Sequence, residues 1–258
     1  MNQTERRRWL IDALLAEDGR YAGTRIPLTE GGQKKLLRSL MNVRPPREND
    51  PEFLRVQDEY LGEELARKTV VRADDLTPLR GSLTLWQGDI TTLAADGIVN
   101  AANSGMTGCY SPCHGCIDNC IHTYAGVQLR HDCAVLMREQ GHEEPAGGAK
   151  ITNAYNLPAK YVLHTVGPIV GGGEPTAQDR RLLASCYTSC LDLAAEYGLG
   201  SLAFCCISTG VFGYPQDKAA AVAVETVEGW LARHGSGMKV IFNVFRDSDL
   251  EIYRELLA

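Results

Sequence analysis

No stretch of this 258-residue chain approaches the ~20 consecutive apolar residues of a membrane span, so a membrane-crossing helix is excluded. Positive charge is in deficit. Lys and Arg number 26 against 32 Asp and Glu, and the net charge of -6 argues against a nucleic-acid partner. Internal repeats and low-complexity segments are missing as well. A secretion signal is imitated by Arg6, Arg7 and Arg8 ahead of Trp9, Leu10 and Ile11, but Asp12, Glu17 and Asp18 interrupt any apolar core. That segment reads as an amphipathic helix in a cytoplasmic protein with no membrane partner. Without an export context, nine cysteines, an odd number, fit metal ligation and buried thiols better than a disulfide framework. What remains is ordinary: 44% hydrophobic and 22% charged residues suit a soluble globular protein of one large domain, or a domain with an extension.

Two parts are expected. Residues 1–80 carry helical spacing in Trp9, Leu10, Ala13 and Leu14, in Leu36, Leu37, Leu40 and Met41, and in Phe53, Val56, Tyr60 and Leu61. The second of these helices must stop before Pro45 and Pro46. The set reads as a helical extension packed on the main domain. Over residues 81–258 strand and helix alternate. Strands are predicted at 83–86, 97–100, 150–155, 161–166, 201–207 and 240–245. Helices are predicted at 118–141, 178–197 and 215–234, with a last one capped by Ser248. Such alternation implies a three-layer α/β/α domain.

The segment from Asn100 to Asn119 concentrates the chemistry. Cys109, Cys113, His114 and Cys116 lie between Asn100, Asn103 and Asp118, in a loop that follows a strand and precedes a helix. Open α/β sheets place ligand sites in such loops. Cys113 and Cys116 have a Cys-x-x-Cys spacing, and with Cys109 and His114 they would complete a closed, structural zinc site. Three ligands would instead leave a position for water or substrate, which a catalytic zinc needs. The three-ligand reading is preferred, with Cys113 then a small residue after Pro112. Cys120 is read as a buried thiol on the following helix, and Cys133, Cys186, Cys190, Cys205 and Cys206 as core.

Three segments together resemble the macrodomain family: Gln87-Gly88-Asp89-Ile90-Thr91, Asn100-Ala101-Ala102-Asn103-Ser104, and Ser208-Thr209-Gly210-Val211-Phe212-Gly213-Tyr214-Pro215. The resemblance implies an α/β/α macrodomain with a mixed central sheet that binds ADP-ribose. Ile117-Asp118-Asn119-Cys120-Ile121-His122 matches a segment of hydrolytic members, while the glycines that precede it there are replaced here by Cys109 to Cys116. That replacement is similar to the zinc-dependent protein-ADP-ribose hydrolases of microbes. Leu36 to Leu40, Asn42, Pro45 and Gln57-Asp58 look like the extension of the same subgroup. The resemblance implies Zn2+ held by Cys109, His114 and Cys116, a protein mono-ADP-ribosylated on an acidic (Asp/Glu) side chain as substrate, and ADP-ribose as product.

Residue chemistry is compatible with those roles and with plainer ones. The Asp89 carboxylate accepts hydrogen bonds, which suits an adenine amino group beside the Ile90 N–H, but a turn cap is the ordinary role of such an Asp. Gly210-Val211-Phe212-Gly213, flanked by Ser208, Thr209 and Tyr214, joins an apolar strand to a helix start, a natural cradle for a diphosphate. Phe212 either lies against a ribose or packs. Asn100 and Asn103 suit ribose hydroxyls or Asx-turns. Asp118 reads as the N-cap of its helix and, beside a metal, as the group that orients or deprotonates water. Two alternatives to a hydrolase stay open: an ADP-ribose reader with a structural zinc, and a dithiol of Cys113 and Cys116, which lacks a thioredoxin-like context.

Overall fold

The computed structural model describes residues 1–258. Three helices come first: α1 (Gln3–Ala16), α2 (Glu30–Val43) and α3 (Pro51–Ala66). Each starts on a side-chain cap. Asn2 and Glu5 form a capping box, Thr29 accepts from Gly32 N, and Asp50 accepts from Glu52 N with Pro51 in the first turn. The chain turns extended at Arg44, ahead of the two prolines, and α2 ends there. The inner faces of the three helices share their own hydrophobic cluster, built around Leu10, Ile11, Leu37, Phe53 and Val56. Val127 of the main domain completes it.

The rest of the chain surrounds a six-stranded sheet. In spatial order its strands are β2 (Leu83–Gln87), β8 (Lys239–Val244), β7 (Ser201–Phe204), β4 (Gly97–Ala101), β6 (Tyr161–Thr165) and β5 (Ala149–Asn153). All neighbours run parallel except β5, which pairs antiparallel with β6. A short parallel ribbon joins β1 (Val71–Arg72) to β3 (Leu93–Ala94). Helices α4 (Ile117–Ala125) and α5 (Val127–Gln140) form one layer. The other is made by α6 (Ala177–Glu196), α7 (Gln216–His234) and α8 (Asp247–Leu257). Covered on both sides, β7 is buried at every residue and carries no alternation, as a central parallel strand should. No helix is long and apolar enough to cross a membrane.

Four local expectations are corrected. The single helix expected over 118–141 is two, because Gly126 adopts φ 104° and ends α4. The break is held from the extension: Gln57 Oε1 accepts the Val127 N–H at 2.9 Å, supplying the cap that α5 lacks locally. The strand expected over 201–207 ends at Phe204, since Cys205 to Ile207 turn out of the ladder toward Ser208, itself at φ 66°. Ser248 lies within α8 and does not cap it; Arg246 holds that position with no side-chain bond. Asp118 is not an N-cap either. Cys116 is, its sulfur accepting from Asn119 N at 3.4 Å, which leaves the Asp118 carboxylate free for other partners.

Candidate active site

The segments singled out by sequence all sit beyond the carboxyl ends of parallel strands, where an open α/β sheet presents its ligand site. Asp89 follows β2, Asn103 follows β4, and the loop 208–214 follows β7. Since β2 and β4 are separated by β8 and β7, these groups spread over three inter-strand spacings, about 14 Å.

At one end, Asp89 Oδ1 caps a turn by accepting from Thr91 N (3.0 Å) and Thr91 Oγ1 (2.6 Å). Its other oxygen faces Lys68 Nζ at 3.6 Å, and that ammonium lies 4.0 Å from the centre of the Tyr124 ring. Ile90 is buried, with its side chain in the core. Neither Lys68 nor Tyr124 belongs to a motif in the sequence.

In the middle, the loop 208–214 is tied internally by Tyr214 N to Ser208 O (3.0 Å) and Gly213 N to Gly210 O (3.1 Å). Thr209 Oγ1 donates back to Cys206 O. A second loop runs beside it. Val170 N and Gly171 N both donate to Phe212 O, at 2.8 and 2.9 Å, and Gly172 N donates to Gly213 O at 2.9 Å. The run Gly171-Gly172-Gly173 was the available signal for this partner. Val211 and Gly210 are exposed at the tip, whereas Ser208 and Tyr214 are buried, and Ser208 Oγ has no partner.

At the far end, Asn100, Asn103 and Asp118 come together. Asn100 Nδ2 donates to Asp118 Oδ1 at 2.8 Å and Asn103 Nδ2 to Oδ2 at 3.2 Å. Asn103 remains partly exposed, while Asn100 is fully buried beneath the carboxylate. Burial pushes the Asp118 carboxyl up to about 6, against the opposing pull of Asn100, the Arg130 guanidinium and Asn103. Behind Asn100 stands His164, with Nδ1 at 3.2 Å from the same amide nitrogen. An amide N–H only donates, so Nδ1 accepts and the ring proton sits on Nε2, which faces Thr152 Oγ1 at 2.9 Å. Burial depresses His164 to about 4, keeping it neutral.

Beside Asp118 lies the cysteine loop. The ligand atoms of Cys109, His114 and Cys116 all fall within 4.8 Å of one another, with Cys109 Sγ 3.8 Å from His114 Nδ1. Two thiols and an imidazole facing inward are a soft donor set that can hold a metal ion. Burial, then the neighbouring Cys109 thiol, pushes Cys116 up to about 12, and a cation among these groups would reverse that penalty. Cys113, at φ 54°, stands outside the cluster. Of the thiols read as core, Cys133, Cys186, Cys190 and Cys205 are buried and Cys206 packs against the core half-buried. Cys133 also meets His122 and His164 in a second, wholly buried group. Both His164 nitrogens there are already engaged with Asn100 and Thr152.

The Macro domain family profile matches residues 99–223. A protein-ADP-ribose hydrolase of Treponema medium is 59% identical over 262 residues, spanning 100% of both chains. A protein-ADP-ribose hydrolase of Staphylococcus aureus (strain MSSA476) is 54% identical over 222 residues, 86% of this chain and 83% of its own. Among solved structures, a Trypanosoma brucei macrodomain in complex with ADP-ribose superimposes with a TM-score of 0.67 at 30% identity, covering 86% of this chain and 95% of that one. The chain therefore belongs to the macrodomain family and is an enzyme of the protein-ADP-ribose hydrolase kind.

Proposed function

We propose that this chain is a cytoplasmic, zinc-dependent hydrolase that releases mono-ADP-ribose from aspartate or glutamate side chains of modified proteins. The observation that carries the reading is the start of α4: Cys116 and Asp118 bring a three-residue donor set and a buried carboxylate to one place. Cys109, His114 and Cys116 would hold the metal. When bound, zinc supplies Lewis acidity and positive charge beside the scissile bond.

The rest is done by the chain itself. Asp89 and the Ile90 backbone take the adenine, with Lys68 yielding its 3.6 Å contact to the incoming base. The loop 208–214 wraps the diphosphate, offering successive N–H groups and the N-terminus of α7. Asn103, partly exposed and donating to Asp118, stands where the ribose next to the protein linkage would lie. Asn100, having no exposed surface, acts by aiming Asp118 and not by touching sugar. An Asp118 carboxyl that titrates near 6 is ionised at neutral pH yet accepts a proton readily, as a general base should.

The test couples zinc content to turnover. An Asp/Glu-modified protein is offered to the enzyme before and after chelation, with ADP-ribose binding followed in parallel. Activity should vanish with the zinc and return on its readdition while binding persists. Asp118→Ala should bind ADP-ribose and lose about 10²–10⁴-fold in turnover, the usual contribution of a general base. Full turnover by zinc-free protein would end the metal reading.

A further inference from the structure

Helix α2 of the extension touches the metal loop at one cysteine above all. Asn42 Oδ1 accepts the Cys113 N–H at 2.9 Å. The Cys113 sulfur lies 3.2 Å from Ser39 Oγ and 3.4 Å from the Lys35 carbonyl. Asn42 is itself fixed, its Nδ2 donating to Thr123 Oγ1 at 2.9 Å. Immediately before Ser39, Arg38 Nη2 donates to the His114 carbonyl (2.8 Å) and to Asn119 Oδ1 (2.9 Å). Asn119 in turn donates to the carbonyls of Cys109 and Ser111. The helix thus grips both flanks of the donor set.

The grip has a chemical consequence. Cys113 and Cys116 have the spacing of paired zinc ligands, and Cys113 is the chain neighbour of His114. A fourth soft ligand would fill the coordination sphere and leave no position for water or substrate. Instead the Cys113 backbone takes a left-handed conformation, unfavourable for any residue with a side chain, and its sulfur is turned to α2. We infer that α2 keeps the metal centre open by holding Cys113 out of the ligand set, so that Ser39 and Asn42 are positioning residues for catalysis. The inference rests on the zinc reading proposed above.

The experiment uses the full chain with Zn2+, and with Co2+ as a spectroscopic probe. Ser39→Ala/Asn42→Ala frees Cys113. Zinc should then bind more tightly in chelator competition, and thiolate-to-cobalt charge-transfer absorbance should rise by about half as a third thiolate joins two. Turnover should fall about 10- to 100-fold, the scale on which outer partners of a metal site act. Adding Cys113→Ala to that pair should restore turnover and the original absorbance. Simple damage to the loop has the opposite signature: weaker zinc, lost turnover and no rescue, and that result overturns the inference. So does a double variant that changes neither absorbance nor turnover. Cys113→Ala alone should keep zinc and activity; if it loses zinc, Cys113 is a ligand and the inference fails alone. A wild-type chain that binds no zinc brings down the metal reading together with it.

Discussion

Gly213→Ala tests whether the two loops at the middle of the cleft are joined as described. Gly213 has φ 67°, and a Cβ there would lie 2.5 Å from Gly172 N and 3.0 Å from Gly171 C. Holding Ala in the left-handed region costs about 1–2 kcal/mol. The obstructing atoms are backbone, so no side chain can swing aside, and overpacking of this kind costs about 1–3 kcal/mol more. The total of about 2–5 kcal/mol would lower the melting temperature by roughly 4–20 °C in a chain of this size if unfolding is global. If the loops part locally, the cost appears as lost ligand affinity, because the Phe212 and Gly213 carbonyls no longer hold the facing loop. Calorimetry with ADP-ribose and a thermal melt read both outcomes. Gly210→Ala is the control: no atom lies within 4 Å of its Cβ and its φ is not positive, so its melt should match wild type. A Gly213→Ala protein with wild-type melting temperature and wild-type ADP-ribose affinity would refute the reasoning.

Three further outcomes follow from the buried polar groups. Arg130 Nη1 donates to the carbonyls of Asn42 (2.6 Å) and Arg44 (2.7 Å) at the end of α2, so Arg130→Ala should destabilise by about 2–4 kcal/mol in urea titration. Arg130→Lys, able to keep part of that contact, should lose less. Asn100→Ala deletes the strongest influence lowering the Asp118 carboxyl, so the acid limb of the turnover profile should move to higher pH by about one unit; an unmoved limb would contradict the assigned contact. His164 is depressed to about 4 from 6.5, so the unfolded chain binds more protons between those values and stability declines as pH falls through that window. His164→Gln should flatten this decline by up to about 3 kcal/mol between neutral pH and pH 4, read from urea midpoints.

Most of the architecture was written in local patterns. Periodicity located six strands of the main sheet and the helices, and the apolar run at 201–207 correctly announced a doubly covered strand. Gly126 is the local signal that a helical pattern hides, because a lone glycine there is ordinarily tolerated; what holds the break open is Gln57 in α3, 70 residues before the Val127 whose N–H it accepts. The same distinction divides the site. Asp89, Asn103, Asp118 and the loop 208–214 stand in short motifs and were readable. The partners that set their properties were not: His164 reaches Asn100 across 64 residues, and Asn42 reaches Cys113 across 71. Asn100 looked like a sugar-binding group because an amide's chemistry says nothing of its burial. That Cys113 differs from Cys109 and Cys116 depends on which way a backbone turns, and all three offer the same sulfur.

The three leading helices share a hydrophobic cluster of 11 residues, Val127 of the main domain among them, against 46 in the cluster around the sheet. A cluster that small supports a unit of low local stability, able to open while the sheet stays intact. Since α2 grips the cysteine loop, such an opening would loosen the cluster of Cys109, His114 and Cys116 without unfolding the loops beyond the sheet. On the zinc-dependent reading proposed above, warming would then produce a chain that still captures ADP-ribose after it has ceased to cut, so that the catalyst turns into a sink for its own product before it melts.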